Sequence, residues 1–259
     1  FFVCIQGSEA THIISCYLTK GKRTRDLEEE LVSECLEALI GIACGVRSEL
    51  PKLSQNIEYE VVRSQEDWKQ LIDGEIECIK SEEKAPRLIF PGTFNPLHEG
   101  HLKIKELAES KTQEQLFFEI SVSNVDKTPL SFYEIKKTLD QFSKDQQWIL
   151  TNAPTFQQKV KLFPKSTFVV GTDTLMRIFD ERYYQDQNTM NQALQCFNEY
   201  DAKFIVFGRE INKHFHSLDD LKIPSFVRER FKGVNENEFR MDIRSRDIKR
   251  SEEESRKSA

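Results

Sequence analysis

Between residues 87 and 250 the chain alternates short apolar runs with longer amphipathic stretches, and this rhythm narrows the fold more than any other feature. The runs are "RLIF" (87–90), "QLFFEISV" (115–122), "WILT" (148–151), "TFVVG" (167–171) and "KFIVFG" (203–208). Each is strand-length and apolar on both sides, as expected of strands covered on both faces. The intervening stretches have helical spacing. The clearest opens on "SFYE", a capping box from Ser131 to Glu134, with Phe132, Ile135, Leu139 and Phe142 on one face. The pattern predicts an α/β fold, a Rossmann-like parallel sheet with helices on both faces. Ligands of such sheets bind beyond the carboxyl ends of the strands.

Ahead of this region lies a small α+β segment. "FFVCIQ" (1–6) and "THIISCYL" (11–18) read as strands, and Leu27, Leu31, Cys35, Leu39 and Ile42 mark a helix over about 24–44. So little chain buries little core, which suggests that a preceding portion is missing or that the segment docks on the rest. Residues 46–86 read as a charged but ordered connector, with "IEYEVV" strand-like and "DWKQLI" helical. The division expected is therefore 1–45, connector 46–86, main domain 87–250 and a frayed tail, 251–259.

The overall balance excludes several classes. Net charge is −6, with 37 basic and 43 acidic residues, which argues against a generic nucleic-acid binder. No apolar stretch is long enough to span a bilayer, and the amino terminus does not look like a signal peptide. The six cysteines form no CxxC pair, so buried thiols of a reducing compartment, cytoplasm or nucleus, are expected rather than a metal site or a disulfide framework.

The first strand of the main domain runs into "FPGTFNPLHEGH" (90–101), and a helical pattern follows. Gly92 lets backbone approach a ligand, and Pro96 stiffens the loop. His98 and His101, three apart around a helix start, share a face and can point at one anion, which the helix N-terminus also favours. Gly100 leaves room for a flat base. The arrangement suits a nucleoside triphosphate better than zinc, which would want a third ligand and a different spacing. Asp173, after the fourth strand, suits ribose hydroxyls or, alternatively, an N-cap for "TLMRIF". Lys127 suits a phosphate or is simply exposed. Thr155 and Phe156 line a base pocket or belong to the core. His214 and His216 read as surface residues.

"GTFNPLHEGH" resembles the nucleotidylyltransferase signature, and its Asn-Pro form resembles the nicotinamide/nicotinate mononucleotide adenylyltransferases most. "FVVGTDTL" (168–175), "FIVFGR" (204–209) and "NVDKTPL" (124–130) resemble further motifs of that family's divergent eukaryotic branch. "DIRSRDIKR" (242–250) resembles its carboxy-terminal phosphate motif, with Arg244 and Arg246 where Ser and Thr are usual and Lys249 in place of Arg. The resemblance implies adenylyl transfer from ATP to a mononucleotide, with magnesium carried on the nucleotide and no protein-held metal. His98 and His101 would act on the triphosphate, His101 being the residue at the helix entry. Gly92, Thr93, Phe94, Gly100, Ser245, Arg246 and Lys249 would complete the ATP site, backbone at Thr93 and Phe94 also meeting the acceptor. Lys127, Thr155, Phe156, Asp173 and Arg209 would serve the acceptor. A homo-oligomer is compatible with this reading. A cytidylyltransferase acting on a phospho-alcohol, and a non-catalytic nucleotide-binding scaffold, are the alternatives, the latter because of the altered last motif. The amino-terminal segment resembles the end of the domain of competence-damage-inducible proteins, a nicotinamide-nucleotide amidase family. That family's catalytic residues would precede Phe1, so no amidase activity is expected.

Overall fold

The computed structural model describes residues 1–16, 18, 24–46, 57–125, 128–211 and 214–240. They form two compact units: Phe1–Asp73 with Leu130–Lys137, and Gly74–Pro129 with Thr138 onward.

The first unit contains β1 (Phe2–Gln6), β2 (Ala10–Cys16), α1 (Arg25–Ala43), β3 (Ile57–Arg63) and α2 (Glu66–Asp73). Thr24 caps α1 by accepting from the Leu27 N–H, and Asp26 and Glu28 in the first turn complement the helix dipole. The helix buries Cys35 and Leu39 against Val3 and Ile14. Two strands were expected here, and there are three. β3, from the stretch read as connector, pairs antiparallel with β2 from Ala10↔Arg63 to Cys16↔Ile57, making β2 central. The unit also takes in the start of the helix Phe132–Leu139. Its first N–H groups, on Phe132 and Tyr133, donate to Gln6 Oε1 and Thr11 Oγ1, both at 3.3 Å. Phe132 stacks on Trp68. The Ser131–Glu134 capping box is present: each residue's backbone N–H donates to the other's side chain.

The second unit runs β4 (Cys78–Lys80), β5 (Leu88–Pro91), α3 (Glu99–Thr112), β6 (Leu116–Ser121), α4 (Phe132–Leu139, whose last residues fall here), β7 (Gln147–Thr151), α5 (Phe156–Leu162), β8 (Thr167–Gly171), α6 (Thr172–Ile178), α7 (Gln187–Glu199), β9 (Lys203–Phe207), β10 (Arg209–Ile211), β11 (His214–His216) and β12 (Phe231–Val234). Seven strands form one sheet in the order β12-β9-β8-β5-β6-β7-β4, parallel except for β4. The five strands read from the sequence are its centre. The two edges escaped because β4 and β12 are short and lack an apolar run.

Register separates the two faces. Ile89, Phe117, Phe168 and Phe204 align across β5, β6, β8 and β9, and together with Ile149 of β7, which stands opposite Glu119 on the same face, they pack with Val160 of α5 and Leu194 and Phe197 of α7. The alternate residues Phe90 and Phe118 face the other way, toward Phe94, His101 and Phe142. All parallel strands end at one edge, so the segments after β5, β6, β7, β8 and β9 emerge together there. Among the described residues no helix is long and apolar enough to cross a membrane.

Candidate active site

β5 delivers the chain to the carboxyl edge, and residues 92–97 turn it into α3. Gly92 is required by close approach: a Cβ there would lie 2.6 Å from Phe94 Cζ and 2.8 Å from Cε1. The ring cannot easily yield, since Phe94 is only 1% exposed and packs edge-on against Phe90, Phe118 and Phe142. Phe94 also holds a left-handed backbone, φ 43°, a conformation costing a non-glycine residue roughly 1–2 kcal/mol. Burial of its ring supplies the compensation, of order 1.5–3 kcal/mol. Gln141 fastens the loop: its Nε2 donates to Phe94 O at 3.0 Å and its Oε1 accepts from Leu97 N at 2.8 Å.

His98 is the N-cap of α3 and His101 its third residue, so His98 rather than His101 stands at the helix entry. The rings stack with centroids 3.7 Å apart and 23° between planes. The His98 N–H donates to His101 Nδ1 at 3.3 Å, which leaves the ring proton of a neutral His101 on Nε2. Edge contacts from Phe94 and Phe90 close round His101. This burial pushes its pKa down to about 3, with positive charge at His98 and Arg209 acting in the same direction. His98 is lowered as well, by burial and then by Arg209. Its Nδ1 is buried and has no hydrogen-bond partner among the described residues. Two uncharged imidazoles therefore stand at the N-terminus of α3, a donor-rich place for phosphate oxygens.

Arg209 links this pair to the next strand end. Its Nη1 lies 2.7 Å from Asp173 Oδ2, with both side chains partly exposed. Asp173 is not the N-cap of α6. That position is Gly171, and Asp173 sits in the helix's first turn. The fold thus gathers His98, His101, Asp173 and Arg209 from the ends of β5, β8 and β9. Thr93 is exposed and Gly100 is buried in the first turn of α3.

Thr155 and Phe156 follow β7 at the same edge, but their side chains have other partners. Thr155 caps α5 in a reciprocal box with Gln158. Phe156 packs on Phe168 and Phe204. Lys127, Ser245, Arg246 and Lys249 lie outside the described residues. The sequence reading passed over Gln141 and the aromatic cage. Nothing in "DQFS" marks Gln141, whereas the phenylalanines at 90, 118 and 142 are legible only as core and Phe94 only as part of the nucleotide loop.

A cytidylyltransferase-like family model matches residues 89–251, well over half of the chain. No curated protein matches it. The matched span begins in β5 and takes in every described member of the site, and family membership points to nucleotidyl transfer as its chemistry. The chain belongs to the cytidylyltransferase-like family of nucleotidyltransferases.

Proposed function

We propose that the protein transfers AMP from ATP to nicotinamide or nicotinate mononucleotide, giving a dinucleotide and pyrophosphate. The observation that carries the reading is the stacked, uncharged His98–His101 pair at the N-terminus of α3, in the field of Arg209. The Asn-Pro form of the loop, the Gly-Thr-Asp after β8 and the Arg after β9 favour dinucleotide synthesis within the family.

In this reading the mononucleotide phosphate, already anionic at neutral pH, attacks the α-phosphorus of ATP. The bond from that phosphorus to the bridging oxygen breaks and pyrophosphate leaves. No general base is needed, so rate comes from alignment and from donors aimed at developing charge. His101 Nε2–H donates to the α-phosphate, and His98 and the α3 N–H groups hold the outer phosphates. Ser245, Arg246 and Lys249 extend that hold. Gly92 and Thr93 keep backbone close to the nucleotides, and Gly100 leaves space for the adenine. Asp173 accepts from ribose hydroxyls, while Arg209 and Lys127 balance the acceptor phosphate. Thr155 and Phe156 contribute through the loop they anchor. Among the described residues no three acidic, His or Cys side chains form a metal cluster, and Asp173 is already paired with Arg209. By the same resemblance, magnesium would ride on the nucleotide phosphates.

The family's description, cytidylyltransferase-like, favours a second reading, cytidylyl transfer, for which the sequence suggests a phospho-alcohol as the acceptor. Pyrophosphate release measured with ATP or CTP against each acceptor separates the two. Release with ATP and a mononucleotide is expected. Release confined to CTP with a phospho-alcohol would replace our reading, and ATP binding without turnover would point to a scaffold.

A further inference from the structure

A central strand of a covered parallel sheet should be apolar throughout. β6 is not: it reads LFFEIS, and its Glu119 is only 1% exposed. Glu119 pairs with Pro91 of β5 on one side and Ile149 of β7 on the other. Its Oε1 accepts from Lys159 Nζ of α5 at 2.6 Å and from Thr151 Oγ1 of β7. Lys159 is itself 5% exposed. Glu119 Oε2 is buried with no partner among the described residues. The same residue's backbone carbonyl accepts from Gly92 N at 2.9 Å, and Lys159 N donates to Thr155 O at 3.0 Å. One residue pair therefore reaches from the first residue of the loop after β5 to the first turn after the β7 loop.

Stability does not explain this pair. Taking two charges out of water carries a steep desolvation cost, and apolar residues of similar volume are often as stable or more so. The oxygen left without a donor adds to that cost. A buried ion pair does fix distance and direction, which apolar packing does less strictly. We propose that Glu119 and Lys159 are positioning residues for nucleotidyl transfer. The pair sets the spacing between the loop at Gly92–Leu97, which holds the triphosphate, and the loop at Asn152–Thr155, which receives the acceptor. The assignment of those loops rests on the function proposed above. Positional errors near 1 Å reduce in-line reactions by about a hundredfold, so such a tether has a measurable kinetic consequence.

The test compares Glu119→Met/Lys159→Met, Lys159→Arg and the unaltered protein. In the double variant the melting temperature should stay at or above that of the unaltered protein, with ATP affinity by calorimetry within about twofold. Pyrophosphate release should fall at least about tenfold in kcat/KM for the mononucleotide, through KM and kcat together. Lys159→Arg should recover most of it. Amide exchange over 152–158 should quicken in the double variant without faster exchange in β8 and β9. Normal kinetics with unchanged exchange would overturn the proposal. So would a double variant that fails to fold, since the pair would then be structural. If the unaltered protein gives no pyrophosphate with any mononucleotide, the function reading fails. The exchange result then decides the tether alone: faster exchange at 152–158 supports it, and unchanged exchange removes it.

Discussion

The imidazole rings of His98 and His101 stack with centroids 3.7 Å apart and planes 23° from parallel, and the backbone N–H of His98 donates to His101 Nδ1. One residue caps the helix and the other lies inside its first turn, so they present different edges to a ligand. Interactions that strengthen in the transition state raise turnover, whereas equally strong ones only tighten binding. His101→Ala is expected to lower kcat by at least about a hundredfold with little change in ATP affinity, the scale of losing one preorganised donor. His98→Ala should act mainly on affinity. Steady-state kinetics with ATP and nicotinamide mononucleotide measures both, and normal turnover in His101→Ala would exclude the role given to it.

The buried His101 should also govern acid stability. Its folded pKa, about 3, lies below the ordinary 6.5, so between those values the unfolded chain binds more protons than the folded one. Stability from this group is full above the ordinary value and is lost as pH falls through the window toward the folded value. His101→Asn should flatten the acid side of a plot of melting temperature against pH. By NMR, the His101 ring should not titrate between about pH 5 and 8, where an ordinary histidine does.

Arg209 lowers the pKa of both histidines and is itself balanced by Asp173. Arg209→Ala should therefore raise the His98 pKa toward its ordinary value and weaken ATP binding. Asp173→Asn should do the reverse to the field, leaving the charge of Arg209 unbalanced and ATP affinity equal or higher, while the acceptor KM rises. Calorimetry with ATP and kinetics with the acceptor check the split. A common loss of both affinities would mean that the pair acts as one structural unit.

Gly92→Ala places a methyl group against the immobile ring of Phe94. Overpacking of this kind costs about 1–3 kcal/mol. The expected result is a lower melting temperature and weaker ATP binding, both partly recovered by adding Phe94→Leu, which removes the atoms struck. A Gly92→Ala protein with unchanged ATP affinity would show that the loop is not held in this form when nucleotide binds.

Gln141→Leu removes both side-chain bonds to the loop, leaving Phe94 O and Leu97 N without them. A loss of about 1–3 kcal/mol is expected. Faster amide exchange over 92–98, with β6 and β7 unaffected, is the check.

Much of this protein is written locally. The five central strands follow from apolar runs bounded by polar turns, and the loop from Phe90 to His101 carries its chemistry in residue types alone. The Ser131 box and the Thr24 cap are likewise short-range, since a cap needs only a side chain three residues from an open N–H. What the chain could not announce is decided by neighbours far along it. β3 joins β2 because their edges meet, although the intervening sequence reads as connector. β4 and β12 are strands only because β7 and β9 offer them partners. Asp173 suits a cap or a ligand by its sequence, but the cap position falls to Gly171, and Arg209, brought alongside from the end of β9, pairs with it. Phe90 reads only as the end of an apolar strand and Phe94 as part of the nucleotide loop, yet their rings packed against His101 bury it and lower its pKa. Periodicity and turn chemistry report a residue's own backbone, whereas burial, charge and pairing belong to contacts that exist only once the sheet has formed.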